Sequence, residues 1–117
     1  MRASSGRDDE RGTVAAEFAV AMPAVLLVLA TALGGVQLAG LQVRAQDAAA
    51  DAARSFARGE SAATVGARLQ RQVPGATVVQ WTRGDLVCAR VEAGAAGPIA
   101  RLGVTASATS CALAGGR

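Results

Sequence analysis

Residues 18–41 read FAVAMPAVLLVLATALGGVQLAGL, and no charge interrupts them. At about 1.5 Å of rise per residue, such a run covers the roughly 30 Å hydrocarbon core of a bilayer. The apolar core of a secretory signal has about 7 to 15 residues and carries no acid directly against it. The stretch therefore predicts a membrane-spanning helix. Glu17 stands at its entrance and is the only charge between Gly12 and Arg44. A carboxylate near the centre of a bilayer costs about 2.5 to 3.5 kcal/mol, less toward the interface, so this one calls for a reason. The plainest reason is a hydrated charge marking the helix end; the more specific one is a partner cation on another subunit. Pro23 predicts a kink, and Gly34 and Gly35, with Ala30 and Ala39 at spacings of four, provide small faces for close helix packing or reflect an alanine-rich composition.

Beyond the apolar run, residues 41–56 contain strong helix formers without Pro or Gly, so the helix is expected to continue as a soluble stalk that ends at Gly59. Val43, Ala50 and Phe56 are expected along one face, and Asp51 and Arg54 form an attractive i, i+3 pair. A second helix is predicted over residues 62–72, with Ser61 as its N-cap, Val65, Leu69 and Val73 on one face, and Pro74-Gly75 as its stop. Strands follow at residues 77–82, 86–93 and 102–111. Arg83-Gly84-Asp85 joins the first two as a hairpin, and a loop over 94–98 precedes the third. Arg83-Gly84-Asp85 also spells an adhesion tripeptide, but a hairpin turn favours these residue types for conformational reasons alone. Trp81, the only tryptophan, is expected to pack in the core against the second helix. The fold class is α+β: a long N-terminal helix, a short helix and a small three-stranded antiparallel sheet.

Large apolar residues are sparse after Val43, so the module beyond it is marginal without additional support. Cys88 and Cys111 are too few for a protein-only zinc site, and the chain has no His to complete one. A disulfide between them is the leading reading, stapling the second strand to the third and worth about 3 kcal/mol in the chain-entropy model; two buried free thiols are the alternative. The net charge of +3 comes from scattered arginines, because there is no Lys. Nucleic-acid binding needs a basic stripe or stacking aromatics, and neither is present. Without His, a phosphate-cradling glycine loop or a base beside any Ser or Thr, the chain is not expected to be an enzyme, to hold a cofactor or metal, or to bind a small-molecule substrate. The cysteines lie 23 residues apart rather than in a Cys-x-x-Cys motif, which disfavours redox catalysis.

Before the apolar run lies MRASSGRDDERG, where three Arg balance Asp8, Asp9 and Glu10. It has no apolar periodicity and is expected to be disordered. Arg2, Arg7 and Arg11 on one side of the membrane face Arg44, Arg54 and Arg58 on the other, so the positive-inside rule decides little. The expected disulfide instead places the C-terminal module outside and the leader inside. A small-x-small site around residues 45–47 offers a weak alternative cleavage point, since helical pattern continues past it.

Gly12-Thr13-Val14-Ala15-Ala16-Glu17-Phe18, a glycine ending a charged leader with a glutamate at the fifth position of the following apolar helix, resembles the processing site of type IV pilins. The short leader, the Glu17-Phe18 pair and the modest cysteine-containing C-terminal part look most like TadE-type pseudopilins, the minor components of bacterial tight-adherence (Flp) pilus systems. The resemblance covers about the first 45 residues well and the remainder loosely. It implies cleavage between Gly12 and Thr13 by a prepilin peptidase on the cytoplasmic face, for which this chain is the substrate. It further implies pairing of Glu17 with the new Thr13 amine of a neighbouring subunit, which sets axial register. The implied partners are the membrane, the peptidase, other pilin or pseudopilin subunits and the pilus assembly platform. The chain then divides into a cleaved leader (1–12), a transmembrane and assembly helix (13–43), a helical stalk with the second helix (44–74) and a disulfide-stapled β module (75–117). The rival expectation is a single-pass, membrane-anchored accessory protein with an extracytoplasmic domain and no filament role.

Overall fold

A computed structural model describes residues 5–115. Helix α1 runs Ser5–Ala57 and helix α2 Ala62–Gln72; strands β1 (Thr77–Arg83), β2 (Leu86–Gly94) and β3 (Thr105–Leu113) follow, with a 3-10 helix, Gly97–Leu102, between the last two. The sheet is antiparallel in the order β1-β2-β3. This is the α+β architecture expected from the sequence. The chain forms two compact units, Met1–Gly35 and Val36–Arg117.

In the first unit the leader departs from the expected disorder, because α1 already begins at Ser5; Met1 to Ser4 lie outside the described residues. Extending an existing helix avoids the cost of nucleation, and Asp8 in the first turn faces the positive end of the helix dipole. The helix continues through Pro23, whose missing N–H leaves the Ala19 carbonyl without its usual donor. Consecutive exposed side chains at Val25, Leu26, Leu27, Val28 and Leu29 point in every direction around the helix, which is therefore apolar on all sides. Thr31 Oγ1 donates to the Leu27 carbonyl at 2.8 Å, satisfying a hydroxyl within the apolar run. This helix is long and apolar enough to cross a membrane.

The second unit is built around alanine. Ala45, Ala48, Ala49, Ala52, Ala53, Phe56 and Ala57 of α1 are buried, a stripe at successive steps of three and four. The stripe differs from the expected face: Val43 is 60% exposed and Ala50 only half-buried. It packs with Val65 and Leu69 of α2 and with the inner face of the sheet, where Val87, Ala89, Val91, Ala93, Ala106 and Ala108 are buried. The contact between helix and sheet is therefore lined largely by methyl side chains. Val79, Leu102 and Leu113, three of the sparse large apolar residues after Val43, are exposed.

Caps and turns fix the lengths of these elements. At the end of α1, Gly59 N–H donates to the Phe56 carbonyl (3.0 Å) and Glu60 N–H to the Ser55 carbonyl (3.0 Å), a Schellman arrangement. Gly59 has φ 86°, the left-handed conformation this motif requires. Ser61 Oγ accepts from Thr64 N–H at 3.2 Å and caps α2 as expected. After α2, the Gln70 side chain donates to the Ala76 carbonyl and accepts from Gly75 N–H, clamping the Pro74-Gly75 turn. Between β1 and β2, Arg83 pairs with Leu86, leaving the two-residue loop Gly84-Asp85 with positive φ only at Gly84, the pattern of a type II′ hairpin. The third strand starts at Thr105 rather than at residue 102, because Pro98 begins a 3-10 turn that carries the chain to Gly103.

Candidate functional site

Gly12, Thr13, Glu17 and Phe18 all lie within α1, and all are exposed. Thr13 and Glu17 are four residues apart and share one helix face, separated by about 6 Å of rise. Thr13 Oγ1 donates to the Asp9 carbonyl at 2.9 Å, tying the residue after the expected cut to the turn before it. No ion pair among the described residues involves Glu17.

The fold does not demand Gly12, and the same holds for the other helical glycines Gly35, Gly40 and Gly66. A Cβ built at Gly12 meets nothing within 4 Å, and its φ is not positive. Glycine in a helix interior is less favourable than alanine by about 1 kcal/mol, so Gly12 weakens α1 with no packing or conformational return inside the chain. A glycine also makes local unwinding of the turn around Gly12-Thr13 easier.

Cys88 and Cys111 are bonded to each other and face one another across β2 and β3. Trp81 sits opposite Cys88 on β1, so one row across the sheet reads Trp81, Cys88, Cys111. Val87 and Ala89, the neighbours of Cys88, face the alanine core, which puts this row on the outer face of the sheet. Trp81 therefore does not pack against α2 as expected from its size. It is half-buried on the outer face, where the Arg90 guanidinium lies 5.9 Å from the ring centroid, a cation–π contact.

A polar cluster that sequence reasoning missed joins the two helices. Arg68 of α2 donates to Ser55 Oγ at 2.8 Å and to Glu60 at 2.9 Å, and lies 3.5 Å from Asp51. Arg58 contacts Glu60 at 2.8 Å and donates to Ser55 Oγ at 3.3 Å. Ser55 is fully buried, and its hydroxyl accepts from both guanidinium groups. Asp51 thus pairs with Arg68 on α2, not with Arg54 on its own helix. The Arg58 hydrogen bond, reinforced by the charge of Arg68, holds the Glu60 carboxyl below the usual carboxylate range; Glu60 in turn raises Arg68. The signal available in the sequence was a Ser on the alanine stripe, an apparent mismatch that implies a buried hydrogen-bond partner.

No family model, curated protein or solved structure matches the chain.

Proposed function

We propose that this chain is a TadE-like minor pilin or pseudopilin: a structural subunit cut between Gly12 and Thr13 by a prepilin peptidase at the cytoplasmic face of a bacterial membrane. It then assembles through α1 with other pilin-type subunits on a pilus assembly platform. The observation that carries the reading is the spacing: Gly12 ends the charged leader and stands five positions before Glu17, the only charge from there to Arg44 and one without an ion pair among the described residues. A glycine at that place suits an enzyme that needs close access to the backbone.

Processing changes the chemistry of the helix end. The cut removes the leader charges and creates an amine on Thr13, one helical turn from Glu17. Pairing Glu17 with the corresponding amine of a neighbour removes the cost of an isolated carboxylate near lipid and selects one axial stagger. The uncovered apolar surface of α1 supplies the rest of the contact, in lipid before assembly and against other helices afterward. The disulfide supports an extracytoplasmic place for the second unit, with the leader on the cytoplasmic side.

The test is Glu17→Ala in cells carrying the partner subunits. Membrane insertion should persist, since the substitution removes a polar group from an apolar helix, while co-purification with pilin-type subunits should be lost. Unchanged association would overturn the assembly role and leave a single-pass anchored accessory protein.

A further inference from the structure

Within the second unit, a groove of about 570 Å³ has one wall from α1, including Val36, Leu38, Leu41 and Arg44, and another from Pro74 and Ile99. No carboxylate is among its lining residues. Leu102, at the end of the 3-10 helix that contributes Ile99, is 76% exposed beside the exposed Arg101, while Val36 and Val43 are 70% and 60% exposed.

Chain arithmetic points to what covers this surface. The uncharged run from residue 18 to 43 has 26 residues, a rise of about 39 Å, whereas a hydrocarbon core takes about 30 Å or 20 residues. Counted from Glu17, the core is crossed by about residue 37. Leu38, Leu41 and Val43 then fall in the headgroup layer, and Arg44 is the first charge beyond it. Apolar side chains together with arginines, and no acid among the groove's lining residues, match a surface of anionic phospholipid: the apolar groups enter the acyl boundary and the guanidinium groups meet phosphate.

We propose that the groove and the 3-10 helix Gly97–Leu102 seat on the headgroup layer of an anionic phospholipid membrane, giving the second unit a contact with lipid additional to α1. This rests on the membrane reading of α1. The test uses the full chain in vesicles of phosphatidylglycerol and phosphatidylcholine that carry nitroxide quenchers either near the headgroup or at mid-chain. Unsubstituted protein, whose only indole is Trp81, is compared with L102W and L27W. The L102W emission should shift to the blue and be quenched several-fold more strongly by the headgroup-proximal label than the Trp81 emission. Removing phosphatidylglycerol should weaken that quenching. L27W should be quenched by the mid-chain label. If L27W is quenched and L102W behaves like unsubstituted protein, the lipid seat is wrong and α1 insertion stands. If L27W is not quenched, both fall. An L102W shift that follows protein density in the vesicle rather than the quencher would assign the groove to a second copy and overturn the lipid seat.

Discussion

Two residues show how differently a charge can be held in this chain. Glu60 is surrounded by Arg58 and Arg68, and these lower its pKa in the folded state. A carboxylate whose folded pKa lies below its unfolded value contributes stability above the unfolded value, about 4.3 for glutamate, and loses it as pH falls through the lowered folded value. Glu60→Gln should therefore reduce stability at neutral pH and flatten the acid side of the stability profile below about pH 4.3, as followed by circular dichroism during urea titration at several pH values. An unaltered acid limb would show that Glu60 does not couple to folding. Glu17 has no ion-pair partner among the described residues. Its position was legible in the sequence because a lone charge against an uncharged run is conspicuous, and the structure added that Glu17 is exposed on the same helix face as Thr13. The Glu60 cluster was not legible: its members are spread over residues 51–68 and converge only once the Schellman turn reverses the chain.

Among the elements, α2 was fully readable from its punctuation, since Ser61 and Pro74-Gly75 delimit it and Val65, Leu69 and Val73 mark its buried face. The buried face of the stalk was not. Alanine is so frequent that a stripe of it does not stand out, and attention goes to Val43 and Phe56 although only Phe56 is buried. The start of β3 was misplaced for a related reason: Leu102 and Val104 extend an apparent alternation into a segment that Pro98 turns into a 3-10 helix. An alanine interface predicts intolerance to enlargement more than to truncation. Ala53→Leu, at a fully buried position in the stripe, should destabilise the second unit by about 1 to 3 kcal/mol. Ala63→Leu, on the exposed side of α2, should be nearly neutral. Equal denaturation midpoints for the two variants would argue against close packing of α1 on the sheet.

For the molecule as a whole, one unit is an uncovered apolar helix and the other a small module whose core is largely methyl groups. The module has little apolar area with which to offset chain entropy, and the Cys88–Cys111 bond constrains the unfolded chain instead. Replacing both cysteines by serine should cost about 3 kcal/mol, equivalent to a fall in Tm of about 10 to 25 °C for a domain of this size. Thermal denaturation in oxidising and reducing buffer would measure it, and a reductant-insensitive Tm would contradict it. The central claim concerns neither core nor disulfide but the bond after Gly12. Protein recovered from membranes of cells with and without a prepilin peptidase, analysed by intact mass and N-terminal sequencing, tests it most directly. The predicted result is a chain beginning at Thr13 only where the peptidase is present; a full leader retained in both samples would contradict the account.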